Sequence, residues 1–231
     1  MTGTAIVTGA NRGIGFEVAK QLSQRGYEVW VAARNPVSGK EAVQRLERNG
    51  LKAEFVQLDV CDEASIRNAA ALFSANHDRL DVLVNNAGIL LDESMDILEI
   101  SRDDILATIE TNAVGPLNVV QAFAPVLAKG SRVINVSSGA GEICGGMSTY
   151  APVYSISKTA LNAVTCQLAH ALRRKGAAVN AVCPGWVKTD MGGMGATRSL
   201  SRGAETIIWL AMEAPISETG KFWRDRKAIS W

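Results

Sequence analysis

The chain has 231 residues, 47% of them hydrophobic and 20% charged, and a formal net charge of +1. That length suits one α/β domain, and the even charge balance argues against nucleic acid or an anionic membrane surface as a partner. Four scattered cysteines (Cys61, Cys144, Cys166, Cys183) form no C-x-x-C and have only two histidines beside them, so neither a metal site nor a disulfide framework is expected.

Apolar, β-branched runs alternate with helical patterns along the chain. Residues 4–8 read as a strand, entered with no charged-then-apolar leader before it. Residues 14–24 read as an amphipathic helix, 28–33 as a second strand, and 39–48 as a helix that Gly50 stops. A third strand spans 53–58, and Asp62 can cap a helix running to about residue 76. A short fourth strand at 81–84 precedes a long helical region over 102–128, interrupted near Gly115-Pro116. A fifth strand at 132–137, a long helix at 153–174, a sixth strand at 178–183 and a helix at 201–212 follow. A brief strand near 220–223 finishes the sheet. No apolar run approaches the roughly 18 residues of a membrane span, and a cytoplasmic protein is expected.

Continuously apolar strands separated by helices indicate a parallel sheet covered on both faces. The expected fold is α/β: a doubly wound, mostly parallel seven-stranded sheet of Rossmann type, in one domain over residues 1–231. A closed barrel would want eight strand–helix units and about 250 residues. The Gly-rich stretches 139–149 and 192–201 lack an obvious element. Both follow strand C-termini, the edge at which open parallel sheets bind ligands.

Three features at that edge carry chemistry. The first is the turn T-G-A-N-R-G-I-G between the first strand and first helix, with Gly9, Gly13 and Gly15 spaced G-x-x-x-G-x-G. Glycines let the backbone approach a pyrophosphate, and a helix N-terminus offers it unpaired N–H groups and a favourable dipole. The second is the end of the second strand, V-W-V-A-A-R-N-P. An acid there would bond a ribose 2′-hydroxyl. Arg34 stands there instead, with Arg12 close by in the glycine turn, and a guanidinium fork matches a 2′-phosphate. NADP(H) is therefore expected over NAD(H), against the plainer alternative that Arg34 is a solvated surface charge.

The third is Y-S-I-S-K. Tyr154 and Lys158 are four apart, on one face of a helix. An ammonium held near a phenol stabilises the phenolate and lowers its pKa from about 10, giving an acid/base suited to neutral pH. Alone, Y-x-x-x-K is a weak signal, and its weight comes from the glycine turn and the pair Ser137-Ser138 closing a strand. Side chains alternate along a strand, so only one of those serines can face a site. Tyr150 has Tyr154, not a lysine, four residues on. His77 and His170 sit in helical patterns without ligand partners. Cys144, Met147, Trp186, Met191 and Met194 are either an apolar substrate wall or loop residues packed on the core. Gly192, Gly193 and Gly195 suggest a flap over substrate or merely a loose loop.

Taken together, these segments resemble the short-chain dehydrogenase/reductase family over nearly the whole chain. The resemblance implies a catalytic set of Asn112 (in T-N-A-V-G), Ser138 (in I-N-V-S-S), Tyr154 and Lys158. It also implies a cofactor site of Gly9, Asn11, Arg12, Gly13, Ile14 and Gly15, then Arg34, Asp59 and Val60 in Q-L-D-V, and Asn86, Ala87 and Gly88 in N-N-A-G. Tyr154, Lys158, Pro184, Gly185, Trp186, Val187 and Thr189 complete it. No metal is implied. Within the family the chain is most similar to the carbonyl reductases, through R-L-D-V-L-V-N-N-A-G, C-P-G-W-V-K-T-D-M, G-A-E-T and Trp231. It departs from the animal members in lacking their long insertion between the Ser and the Tyr. In the family that insertion goes with a monomer, so a homodimer or homotetramer is expected, and part of the pocket wall is missing.

The expected reaction is reversible hydride transfer between a nicotinamide and a small carbonyl or alcohol. Ser138 would hold the substrate oxygen and Tyr154 would give or take the proton. Lys158 would tune Tyr154 and, by resemblance, bond the nicotinamide ribose. Asn112 would hold a water linking Lys158 to solvent. The alternatives are an NADP-dependent alcohol dehydrogenase working in the oxidising direction and a non-catalytic NADP(H)-sensing protein.

Overall fold

The computed structural model describes residues 3–231. Strand β1 (Thr4–Thr8) is buried at all five positions, as an apolar strand must be when helices cover both faces of its sheet. Around it lie β2 (Glu28–Ala33), β3 (Ala53–Gln57), β4 (Leu80–Asn85), β5 (Leu127–Val136), β6 (Ala178–Val182), β7 (Phe222–Arg224) and β8 (Lys227–Ile229). Their order in the sheet is β3-β2-β1-β4-β5-β6-β7-β8. Every pair is parallel except β7–β8. The order reverses between β1 and β4, the crevice where a doubly wound sheet takes its ligand.

The helices are α1 (Gly13–Gln24), α2 (Pro36–Glu47), α3 (Glu63–Asn76), α4 (Arg102–Ile109), α5 (Gly115–Phe123), α6 (Pro152–Ala171) and α7 (Leu200–Met212). Leu22 of α1, Leu46 of α2 and Ile207 of α7 share one core with Val7, Val31 and Val84. On the other face Phe73 of α3, Phe123 of α5 and Leu168 of α6 pack with Ile6, Trp30 and Leu83. Trp30 meets Phe73 edge-on at 5.3 Å, and Phe73 meets Phe123 at 5.9 Å, favoured aromatic geometries. Among the described residues no helix is long and apolar enough to cross a membrane.

The expected elements are present, with instructive differences. The seven expected strands gain an eighth. β7 turns back into β8 through Asp225 and Arg226, both at left-handed φ (+50° and +59°), a tight hairpin turn made without the usual Gly or Asn. Tertiary contacts hold it: Asp225 accepts two hydrogen bonds from Arg198, and Arg226 N donates to Thr206 Oγ1. Helix α2 starts three residues earlier than expected. Asn35 caps it by accepting from Val37 N and Ser38 N, and Pro36 occupies the first turn, where its missing N–H costs nothing. The interruption expected near Gly115-Pro116 is present as a π turn that separates α4 from α5. That turn spans Glu110–Val114, Gly115 follows it because a Cβ there would press on the Val60 carbonyl, and the helical region ends before β5 begins at Leu127, short of the expected residue 128.

Candidate active site at the carboxyl edge of the sheet

One large cavity, of about 1590 Å³, opens along the carboxyl ends of β1, β4, β5 and β6. At one end lies the glycine turn. Asn86 clamps it from β4: its Nδ2 donates to the carbonyls of Thr8 and Gly9, while Thr8 Oγ1 accepts from Asn86 N and Ala87 N. Gly15 packs against that carboxamide and the Gly9 carbonyl, where any Cβ would collide. The N-cap of α1, Arg12, contributes no side-chain capping bond, and the first turn contains no acid. The leading N–H groups of α1 are therefore left for an anion in the cavity.

Arg34 is exposed at the end of β2 and enters no ion pair among the described residues. Arg12 behaves differently from expectation. Its guanidinium reaches across the cleft to Asp190 at 2.6 Å, an exposed pair linking the turn to the loop after β6. Asn11 Nδ2 donates to Ser38 Oγ, and Asp59 accepts from Cys61 N and lines the cavity with Val60. Ile14, Ala87, Gly88, Pro184, Gly185, Val187 and Thr189 line it too.

At the other end Ser138, Tyr154 and Lys158 come together. Strand alternation sorts the two serines. Ser137 Oγ turns inward and donates to Asn162 Oδ1 at 2.7 Å, whereas Ser138 accepts from Ala140 N and lines the cavity with Tyr154. Lys158 is 4% exposed, and its ammonium donates to the Val136 carbonyl at 2.9 Å and lies 5.5 Å from the Tyr154 ring centre. Burial pulls its pKa from 10.5 to about 8.

The phenol does not behave as its spacing from the lysine suggests. Burial pushes the Tyr154 pKa up to about 12, and the neighbouring Ser138 hydroxyl pulls the other way. The lysine four residues on is visible in the sequence, but the loss of water around the ring is not, and that loss sets the direction of the shift. Asn112 sits in the π turn, fully buried. Its Nδ2 donates to Ile89 O and Ser157 Oγ, and its Oδ1 accepts from Ile89 N. Both of its N–H bonds are thus engaged by protein partners.

The loop after β6 is tethered rather than loose. Val187 and Arg198 bridge its neck, Arg198 N donates to Trp186 O, and Lys188 N donates to Arg198 O. Arg198 is in turn held bidentately by Asp225. Trp186, 57% exposed, donates its indole N–H to Gly192 O and covers Gly195. Met191 and Trp186 line the cavity, but Met194 points fully to solvent. Cys144, Met147 and His170 are exposed and outside the cavity, and His77, also outside it, packs on Trp30 and Phe73. Cys183, which the motifs do not single out, lines it instead and accepts from Gly139 N. Asp92 is also new. It is wholly buried, and it accepts from the backbone N–H groups of Val153 and Tyr154.

Comparison with known proteins places this arrangement. The short chain dehydrogenase family profile matches residues 3–198. This chain belongs to the short-chain dehydrogenase family. Mouse "Carbonyl reductase [NADPH] 1" is 33% identical to it over 272 aligned positions, covering 98% of each protein. The pig protein of the same name is 32% identical over 100% of this chain and 94% of its own. Since 272 positions exceed the 231 residues here, the mouse protein carries segments that this short-chain dehydrogenase lacks. The NADPH-bound carbonyl reductase from chicken fatty liver superposes with a TM-score of 0.89 at 30% identity, covering 100% of this chain and 99% of the other. A dehydrogenase/reductase from Sinorhizobium meliloti 1021 gives 0.85 at 29%, covering 96% and 93%.

In this short-chain dehydrogenase the buried ammonium is expected to cost stability. The unfolded chain holds the lysine proton to about pH 10.5 and the folded chain only to about 8, so folding carries a penalty of roughly 3 kcal/mol below pH 8. The penalty shrinks as pH rises from 8 towards 10.5. Lys158→Met is expected to raise unfolding free energy at pH 7 by about 1–2 kcal/mol, since the unpaired Val136 carbonyl offsets part of the gain. Urea unfolding at pH 7 and pH 10 checks this, with the advantage of the variant smaller at pH 10.

Proposed function

We propose that this protein is an NADPH-dependent oxidoreductase that reduces the carbonyl of a ketone or aldehyde. One observation carries this: a hydroxyl, a phenol and a buried ammonium share a cavity with an uncapped helix N-terminus and an unpaired arginine. That donor set suits the cofactor. The α1 N–H groups would take its pyrophosphate and Arg34 its 2′-phosphate. Arg12 engages Asp190 through Nη1, which leaves its Nη2 and Nε hydrogens for a phosphate. The NADPH-named relatives and the NADPH-bound chicken structure support the same choice.

When bound, the cofactor supplies the hydride. Ser138 would then donate a hydrogen bond to the carbonyl oxygen and hold it near Tyr154. Tyr154 would deliver its proton as negative charge develops on that oxygen. A phenol pKa of about 12 keeps the proton in place throughout neutral pH, which suits reduction better than oxidation. Lys158 would stabilise the phenolate left behind. Its pKa of about 8 keeps it charged at neutral pH. Asn112 can offer a relay water acceptor oxygens only. A cofactor sensor would have no use for a buried ammonium beside a phenol.

Tyr154→Phe is expected to lower kcat by at least 10³-fold while leaving NADPH binding nearly intact (an order-of-magnitude expectation for a lost proton donor). Stopped-flow turnover beside a fluorescence titration of NADPH separates the two, and retained turnover would remove the proton-transfer role. Arg34→Asp should move the kcat/KM preference from NADPH toward NADH, because a carboxylate repels the 2′-phosphate and can bond a ribose hydroxyl. An unchanged preference would mean the phosphate is read elsewhere. A homodimer or homotetramer belongs to the same proposal, with Leu72 on α3 and Leu106 on α4 exposed as apolar contact candidates. Sedimentation velocity should give a mass at least twice that of the 24.6 kDa chain. A cytoplasmic location also belongs to it.

A further inference from the structure

We propose that Asp92 is a positioning residue for the reaction, holding the Tyr154 backbone in place from the loop that follows β4. The inference rests on Tyr154 as proton donor and extends that assignment.

Helix α6 begins A-P-V-Y. Ala151, at its N-cap, has no side-chain acceptor, and Pro152 has no N–H. The first amides needing a partner are those of Val153 and Tyr154. Asp92 supplies it: Oδ2 accepts from Val153 N at 2.5 Å, and both oxygens lie 3.2–3.3 Å from Tyr154 N. The carboxylate is 0% exposed and makes no ion pair among the described residues. A buried anion without a cation is tolerated only where N–H groups and a dipole receive it, and here the helix N-terminus provides both.

A Ser or Asp at position 151 would cap the helix equally well. What it would not do is tie the helix to the loop at 89–92. The Tyr154 peptide is held there from both sides. Its N–H goes directly to Asp92. Its C=O accepts from Ser157 Oγ at 2.7 Å, Ser157 accepts from Asn112 Nδ2 at 2.9 Å, and Asn112 brackets Ile89 through its N–H and C=O at 2.8 Å each. The circuit closes three residues from Asp92. Ser94, at a left-handed φ of 61°, adds a further link by donating its N–H to Tyr150 O at 2.8 Å. The tyrosine is thereby registered against the same loop that begins at Gly88 on the cavity wall. Small displacements of a proton donor are costly in rate, up to about 100-fold for 1 Å.

The test compares Asp92→Ala with the double variant Asp92→Ala/Ala151→Ser, which restores a local cap without the tether. Asp92→Ala should lower kcat about 10- to 100-fold, leave the NADPH dissociation constant within roughly twofold, and speed amide exchange at Val153 and Tyr154. The double variant should recover melting temperature and exchange protection but not kcat. Recovery of kcat together with melting temperature would reduce Asp92 to a cap and overturn the proposal, as would wild-type kcat in Asp92→Ala. Should Asp92→Ala fail to fold, Asp92→Asn takes its place. It keeps one acceptor, a several-fold loss of kcat at unchanged NADPH affinity is expected, and wild-type kcat overturns the proposal. Tyr154→Phe, run alongside, keeps the two levels apart. If that variant turns over normally, it is the proton-donor assignment that fails.

Discussion

The hydrogen bond from the Lys158 ammonium to the Val136 carbonyl is the contact on which the rest of the site depends. A cation removed from water is tolerated only in a narrow set of positions, so it pins α6 to the end of β5. The turn after Ser138 is fitted closely to α6. A Cβ at Gly141 would press on the Lys158 backbone, and one at Gly88 would crowd Asn112 Oδ1.

The same helix is keyed to the sheet by a file of buried polar groups. Asn85 donates to Asn135, Asn135 donates to Thr165, and Ser137 and Asn162 connect onward to the Gly141 carbonyl. Apolar packing alone would allow α6 to slide by small amounts at little cost. Paired amides and hydroxyls do not, because any shift leaves one of them unsatisfied in a low-dielectric interior. Fixing α6 in this way fixes the distance between a phenol on the helix and a serine on the sheet.

What could be read in advance follows from how local its cause is. The alternation of apolar strands with helices, the glycine turn, and Tyr154 four residues before Lys158 are written in short stretches, and each was legible. Features with distant causes were not. The β7–β8 hairpin lacks turn glycines and is held by Arg198 and Thr206 instead. The π turn around Asn112 has no composition of its own and adjoins the close approach of Gly115 to Val60. The cap of α6 comes from Asp92, in sequence terms an unremarked loop acid some sixty residues away. The direction of the tyrosine shift required knowing how much water is lost around the ring, which no motif records.

The extended backbone at Ser138 (φ −152°, ψ 152°) carries the alternation of β5 two residues past its last pair, so that Ser137 and Ser138 present their hydroxyls to opposite sides. Parity along this stretch is therefore inherited by the chemistry. Losing or gaining a single residue within it would exchange the helix-facing and cleft-facing hydroxyls, whereas a two-residue change would preserve their orientation and alter only reach. Length variation among related chains should consequently collect beyond this serine pair, in the loops, where an odd count has no face to invert.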